Sequence, residues 1–243
     1  YNSCKRWEQK NSSKKYKIAY LSDYYYPDAP GGAEISSFHS VNGLISRGHN
    51  VKVYSSSLSL EKHVTQLKLL KLFYLWGGTP NLIISDYFIE KELLYQLKKE
   101  HFDLIHISGR NLITPAIKIG KKLNIPTLVH IRDYWPICPI RTLITYYQGT
   151  CFSHTNKCLT CQINNYKERK GLFKLFVSLW SKIALIQTIK RWDSLKKADG
   201  YILISKFLVE LFEKKGLTKE KMHLLYNPII KQKLEDIFKK KNP

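Results

Sequence analysis

A paired-glycine loop is the first feature of the sequence that could do chemistry. Gly31 and Gly32 follow a short apolar run and come directly before a segment with helical spacing. Two glycines let the backbone approach a ligand closely, and the N–H groups at a helix start attract phosphate. The same pair also fits a plain tight turn, and the G-x-G-x-x-G pattern of dinucleotide-binding loops is absent. The loop therefore indicates a phosphate-bearing ligand only together with other signals.

Four cysteines form the second candidate site. They stand at Cys138, Cys151, Cys158 and Cys161, in the pattern C-x12-C-x6-C-x2-C. The last pair has the spacing of a zinc knuckle, and four thiolates can complete a tetrahedral site, with His154 as an alternative fourth ligand. We therefore predict structural Zn²⁺ in an irregular Cys-rich loop over residues 136–164. Disulfides, unbonded thiols and an iron–sulfur cluster are the alternatives, and reducing conditions in the cytosol favour metal over disulfides.

A basic, aromatic segment follows over residues 166–197. Helical spacing aligns lysines on one stripe and places large apolar side chains over the rest of the surface. The candidate membrane-facing residues are Lys170, Phe173, Lys174, Phe176, Trp180 and Lys182. Such a helix is typical of membrane interfaces, where each basic residue near an anionic leaflet contributes about 1 kcal/mol. We predict peripheral attachment to an anionic membrane on its cytoplasmic, inner face, and the alternative is a helix that covers the sheet with its apolar face.

The net charge supports an anionic partner. The 243 residues include 40 Lys and Arg against 19 Asp and Glu, which gives a formal charge of +21. This favours nucleic acid, a membrane surface or a phosphorylated substrate as partner. A hydrophobic fraction of 44% argues against disorder. No uninterrupted apolar run reaches the roughly 18 residues that a membrane-spanning helix needs.

A regular alternation of strands and helices must position these sites. Apolar runs predict strands over residues 18–22, 51–54, 103–107, 127–131, 200–204 and 222–226. Helical spacing predicts helices over residues 33–47, 86–100, 112–123, 166–197 and 205–215. This order predicts an α/β fold, a doubly wound parallel sheet of Rossmann-like type, over residues 17–230. We expect residues 1–16 to form a flexible arm and residues 231–243 a helical tail.

Several segments, in order along the chain, resemble the first domain of retaining glycosyltransferases of family 4. They are Lys17 to Pro27, Gly31-Gly32-Ala33-Glu34, Arg47 to Val53, Asp103 to His106, Pro126 to Pro139 (similar to the HDYW-type segment), Ala198 to Ser205, and Leu224 to Pro228 at the hinge. The resemblance implies one half of a GT-B enzyme, in which two Rossmann-like domains face each other across a cleft. It implies that this chain holds a glycan or lipid-linked acceptor, and that a C-terminal donor-binding domain or subunit holds most of the nucleotide-sugar. We therefore expect the chain to be inactive by itself.

The resemblance also implies roles for particular residues. Gly31 and Gly32 would approach the donor phosphates or the transferred sugar, and Glu34 would orient their loop. Arg132 stands where the family commonly has histidine, and a cation can hold a phosphate but cannot shuttle a proton as histidine does. The candidate catalytic residues are Arg132, Asp133 and His130, which shares a sheet face with Arg132. The candidate donor- or acceptor-binding residues are Gly31, Gly32, Glu34, His106, Arg110, Tyr134 and Trp135.

The implied mechanism is front-face transfer with retention. The leaving diphosphate would take the acceptor proton, so this half needs no general base and would contribute positioning and electrostatic stabilisation. The structural alternatives are hydrogen-bonded core histidines at positions 106 and 130, and an internal salt bridge between Arg132 and Asp133.

Two other functions fit part of the sequence. One is a non-catalytic Rossmann-like subunit that recruits a partner to a membrane or regulates it. The other is a basic, metal-containing protein that binds nucleic acid. No recognition-helix, RRM, KH or finger spacing is present, so we expect no specific nucleic-acid partner.

Overall fold

One parallel sheet organises the protein. The computed structural model describes residues 14–28, 31–57, 62–70, 83–144, 151, 158–161 and 173–228. The strands are β1 (Lys17–Leu21), β2 (Asn50–Ser55), β3 (Val64–Gln66), β4 (Leu104–Ile107), β5 (Thr127–Ile131), β6 (Gly200–Leu203) and β7 (Met222–Leu224). The longer helices are α1 (Gly32–Ser46), α2 (Ile83–Leu97), α3 (Ile113–Leu123), α4 (Phe173–Leu195) and α5 (Lys206–Lys214). The seven strands lie in the order β3-β2-β1-β4-β5-β6-β7, which confirms the predicted α/β Rossmann-like fold.

The alternation of side chains along β1 shows how the sheet is covered on both faces. Ala19 and Leu21 point into the larger core, which α2, α3, α4 and α5 share with the sheet. Ile18 and Tyr20 point into a smaller core, where Val41 of α1 packs. Each large apolar side chain buried in this way contributes about 1.5–3 kcal/mol. Because both faces are covered, the strands read in the sequence as short continuous apolar runs.

The strand order reverses between β1 and β4, and this reversal positions the candidate site. Strands β2 and β3 lie on one side of β1 within the sheet, and strands β4 to β7 follow on its other side. Leu21 at the end of β1 pairs with Tyr54 of β2 and with Ile107 of β4, so the carboxyl ends of these strands are aligned. Ligands of open parallel sheets bind in the crevice beyond the strands at such a reversal.

Strand β3 is the element that the sequence does not predict. It contains only three residues, and it pairs with β2 from Val53 opposite Val64 to Ser55 opposite Gln66. Three residues are too few for a hydrophobic period, and an edge strand can be partly exposed. The six predicted strands are all present, with ends that differ by one or two residues.

Helix α4 shows which part of the basic segment joins the domain. Of residues 181–195, the side chains of Ser181, Gln187, Thr188, Arg191 and Leu195 are buried, whereas Lys182, Ile186 and Ile189 are exposed. This half of the helix therefore packs on the domain, mainly beside α3, through side chains that are mostly polar. The alternative of an apolar face that covers the sheet is not seen in these residues. Lys170, and the side chains of Phe173, Lys174, Phe176 and Trp180, lie outside the part that is described. Membrane attachment stays a prediction, and no described helix has the length and apolarity needed to cross a membrane.

The predicted terminal segments lie mostly outside the described residues. Of the arm, only residues 14–16 are described, and the tail over 231–243 is outside. The predicted Cys-rich loop is described at residues 136–144, 151 and 158–161.

Candidate functional site

A polar cleft of about 220 Å³ opens where the strand order reverses. The ends of three strands and the first turn of α1 supply its walls. The lining residues are Ser22, Asp23 and Tyr24 after β1; Ser108, Arg110 and Asn111 after β4; Asp133, Trp135 and Arg141 after β5; and Ala33 and Glu34 of α1. Of the residues predicted from the sequence, Glu34, Arg110, Asp133 and Trp135 line this cleft.

The glycine loop brings the start of α1 to the cleft. Gly31 is the N-cap residue, and its carbonyl accepts the first helical hydrogen bond from the Ile35 N–H at 3.0 Å. Gly31 has no side chain that could cap this end of the helix, and the first turn of α1 lies at the cleft wall. A Cβ on Gly31 would collide with the Glu34 carboxylate, whereas one on Gly32 would meet no described atom within 4 Å. Glu34 therefore folds back over Gly31, and Gly32 leaves open space beside the backbone.

The loops after β1 and β4 meet at Gly109, which the sequence analysis did not single out. A Cβ on Gly109 would lie 2.6 Å from the backbone N of Asp23 and 2.7 Å from its Oδ1. The Asn111 backbone N–H donates to Asp23 Oδ1 at 3.2 Å. Only glycine permits this approach, and it brings the Asp23 carboxylate into the cleft. A lone glycine after a strand gives no such signal in the sequence, because its partner is 86 residues away.

Arg132 lies beneath the cleft and bonds to neutral groups. Its guanidinium donates to Ser108 Oγ, to Tyr20 Oη at 3.3 Å and to His130 Nδ1 at 3.1 Å. Within the described part, no ion pair joins Arg132 to Asp133, so the salt bridge considered from the sequence is not present. The cation thus reaches the cleft through Ser108, which lines it.

The two candidate histidines belong to the core beneath the cleft. His106 and His130 are 6% and 4% exposed, and their ring centroids are 5.6 Å apart. Burial, and then the charge of Arg132, lowers the pKa of His106 to about 3 and that of His130 to about 2. Both imidazoles are therefore neutral near pH 7. Neither is among the residues that line the cleft.

Asp133 is the partly buried carboxyl of the cleft. Burial raises its pKa, and the hydrogen bond from the Trp135 N–H at 2.8 Å, followed by the charges of Arg141, Arg110 and Arg132, opposes that rise. Trp135 is buried to 8% exposure at the cleft wall. Tyr134 instead packs edge-on against Phe207 of α5 at 6.1 Å and does not line the cleft.

The cysteines do not form a recognisable metal centre. Cys138 and Cys158 are buried, Cys151 and Cys161 are half-buried, and none of the four takes part in a disulfide. Among the described residues, no group of three or more His, Cys, Asp or Glu side chains could hold a metal ion. Within the described residues, the structure therefore gives no support to the predicted zinc site.

The chain is similar to a known protein family and to a bacterial relative. Residues 30–233 match the model of Glycosyltransferase Family 4. A relative from Klebsiella pneumoniae, described as an uncharacterized 42.6 kDa protein in the cps region, is 23% identical over 232 residues. That match covers 87% of this chain and 55% of the relative.

Two solved structures are similar to this chain. A variant of Os79 from O. sativa, in complex with UDP, has a TM-score of 0.54 and 11% identity over 89% of this chain and 53% of that one. Alr3699/HepE from Anabaena, in complex with UDP-glucose, has a TM-score of 0.45 and 13% identity over 93% of this chain and 49% of that one. The chain thus spans about half the length of the relatives that it matches.

Proposed function

The chain belongs to Glycosyltransferase Family 4, and we propose that it is the acceptor-binding half of a retaining enzyme that transfers a sugar from a nucleotide-sugar. The observation that carries this proposal is the cleft at the strand reversal, which joins a helix N-terminus to carboxylates, arginines and Trp135. The acceptor is a glycan or a lipid-linked sugar. Because the Os79 structure contains UDP, UDP-sugars are the first donors to test.

The start of α1 provides the anion-binding wall of this cleft. The N–H groups of its first turn and the positive end of the helix dipole favour negative charge. The open space at Gly32 lets a diphosphate or a sugar approach the backbone. We infer that this wall faces the donor diphosphate, most of which a second domain binds.

Arg132 and Asp133 serve the reaction in different ways. As the bond from the sugar to the diphosphate breaks, negative charge grows on the leaving oxygens. The Arg132 cation beneath Ser108 stabilises that charge electrostatically, because it is fixed by three hydrogen bonds before the reaction begins. Asp133 shapes the loop by accepting from the Trp135 N–H. The acceptor hydroxyl bonds to the sugar carbon on the same face, and its proton passes to the leaving diphosphate.

The segment after β7 supports the position of the hinge. The Ser36 hydroxyl of α1 donates to Asn227 Oδ1 at 3.0 Å, five residues from Gly31. A second domain that follows Pro228 would therefore begin close to the cleft that it must face. We propose that this domain, in the same chain or in a partner, is needed for turnover.

Peripheral attachment to the inner face of an anionic membrane is proposed as the setting for a lipid-linked acceptor. The exposed Lys182 and the charge of +21 support it. Flotation with vesicles of phosphatidylcholine and phosphatidylglycerol tests it: the protein should float at low salt and be released at high salt. Absence from the vesicle fraction at low salt would contradict it, and phosphatidylcholine vesicles are the control.

The transfer assay tests the proposed function. A polypeptide that contains this chain and a Family 4 donor domain is incubated with UDP-glucose, UDP-galactose or UDP-N-acetylglucosamine and with glycan and lipid extracts, and UDP release and labelled product are measured. We expect transfer with retained anomeric configuration. Product with inverted configuration, or no transfer from any nucleotide-sugar, would overturn the proposal.

A further inference from the structure

We propose that Asp23 binds a hydroxyl group of the sugar in the cleft, and that Asn111 and Arg191 are positioning residues for its carboxylate. This rests on the proposed function, because it takes a sugar as the ligand of the cleft. The three residues come from the end of β1, the start of the segment after β4, and α4, so the topology alone brings them together.

The carboxylate of Asp23 is oriented by Asn111. The Asn111 backbone N–H lies 3.2 Å from Oδ1 and 3.3 Å from Oδ2 of Asp23, and the side-chain Nδ2 lies 3.3 Å from Oδ2. Each carboxylate oxygen accepts more than one hydrogen bond. These contacts therefore fix the direction of the carboxylate and still permit it to accept from a ligand hydroxyl in the cleft that Asp23 lines.

The backbone of Asp23 is fixed as well. Its carbonyl accepts from the Ser56 N–H at 3.1 Å and from the Ser56 hydroxyl, both at the end of β2. On the opposite side, Gly109 lies so close that any side chain would collide with Asp23. A residue that is held by two neighbouring strand ends has little freedom to turn away from the cleft.

Arg191 secures the orientation of Asn111 from inside the domain. The residue is 6% exposed, and its Nη2 donates to Asn111 Oδ1 at 2.9 Å and to Gln187 Oε1 at 3.2 Å. Because a guanidinium only donates, it must bind the amide oxygen of Asn111 and so directs the amide nitrogen toward Asp23. Burying a cation is costly unless it is well paired. The hydrogen bond from this buried cation fixes the side chain that orients Asp23.

The chemistry of the cleft favours a sugar hydroxyl as the group that Asp23 binds. An ionised carboxylate only accepts hydrogen bonds, and sugar hydroxyls are good donors. Trp135 in the same cleft offers an apolar surface for the C–H groups of a sugar ring.

Sugar binding is measured directly, without turnover. The probes are the methyl glycosides of glucose, galactose and N-acetylglucosamine and their monodeoxy derivatives, titrated into the full chain by calorimetry or ligand-observed NMR. Asp23→Asn should weaken binding of the preferred glycoside about 10- to 100-fold, because a hydrogen bond to a charged group is lost. Removing one particular hydroxyl from the sugar should weaken binding to the wild type but not to Asp23→Ala.

The positioning role of Arg191 is tested with a second set of variants. Arg191→Lys keeps the charge but loses the fork of donors, and should weaken binding about tenfold while the melting curve stays cooperative. The double variant D23N/R191K should bind no more weakly than D23N alone, because both changes act on one contact. Lys197→Met removes an exposed cation just after the same helix and should leave binding unchanged.

Each other outcome overturns the assignment. It fails if no glycoside binds, if D23N binds all glycosides as tightly as the wild type, or if the effects of D23N and R191K add. Failure of the proposed function is seen separately. If the chain binds sugars through Asp23 but never transfers one, the proposed transferase function is contradicted and the sugar-binding site at Asp23 is still supported.

Discussion

Nη2 of Arg132 lies 3.1 Å from Nδ1 of His130, so an arginine donates a hydrogen bond to a buried, neutral imidazole. Because a guanidinium cannot accept, Nδ1 is the acceptor and the proton of the neutral ring is on Nε2. That Nε2 has no hydrogen-bond partner in the described part of the chain. His130 therefore supports the Arg132 cation from below, and it does not reach the cleft as the sequence had suggested for a catalytic residue.

The two buried histidines, His106 and His130, make the stability of the protein dependent on pH. The native pKa values of about 3 for His106 and about 2 for His130 lie below the unfolded value of 6.5. Below pH 6.5 the unfolded chain binds protons that the native protein does not, so the free energy of unfolding falls as the pH falls. The loss is about 1.4 kcal/mol per pH unit for each histidine, down to about pH 3. Urea unfolding at a series of pH values between these limits measures it.

A histidine variant isolates this effect from that of the carboxylates. His130→Asn keeps an acceptor for Arg132 and should reduce the slope by about 1.4 kcal/mol per pH unit. An unchanged slope in His130→Asn would mean that this imidazole is protonated in the native protein.

Gly109 should tolerate no side chain, whereas Gly32 should tolerate one. Gly109→Ala forces a Cβ against Asp23 and should lower the free energy of unfolding by about 1–3 kcal/mol. Gly32→Ala meets open space and should change it by less than about 0.5 kcal/mol. Urea unfolding of the two variants gives the comparison. Equal stabilities would contradict the close approach of the loops after β1 and β4.

Arg132 should contribute to stability as well as to the charge beneath the cleft. Arg132→Met removes the donor to Ser108, Tyr20 and His130, and should cost about 2–3 kcal/mol. Arg141→Met, at an exposed cation of the cleft, should cost less than about 0.5 kcal/mol. Thermal unfolding of both variants in one buffer tests the difference. If the Arg132→Met variant is as stable as the wild type, these hydrogen bonds are not formed.

The cysteines should behave as thiols and not as metal ligands. Cys161 is half-buried and should react with a thiol reagent in the native protein, and the buried Cys138 should react only on unfolding. Elemental analysis should find no stoichiometric zinc. One zinc per chain, together with slow reaction of all four thiols until a chelator is added, would restore the zinc site predicted from the spacing.

The layered fold could be predicted from the sequence because apolar residues follow different patterns in buried parallel strands and in amphipathic helices. The runs at residues 18–22 and 103–107 correspond to β1 and β4, and their ends form the cleft. The glycine pair at residues 31 and 32 could be placed at the start of α1 for the same reason.

The contacts within the site could not be predicted, because they join residues far apart in the chain. Asp23 and Asn111 are 88 residues apart, and Arg191 and Asn111 are 80 apart. Arg191 appeared in the sequence only as one more cation of a basic helix, yet its side chain is buried. Spacing alone also grouped four cysteines, and thiols that are close in sequence need not converge on one point.

Titration of UDP-glucose into the isolated chain, followed by an assay for UDP release, tests the central claim most directly. If this chain is the acceptor-side half of a two-domain transferase, it should neither bind the donor stoichiometrically with high affinity nor release UDP alone. Transfer should begin when a Family 4 donor domain is supplied. Tight stoichiometric binding of UDP-glucose, or sugar transfer by the isolated chain, would contradict the account.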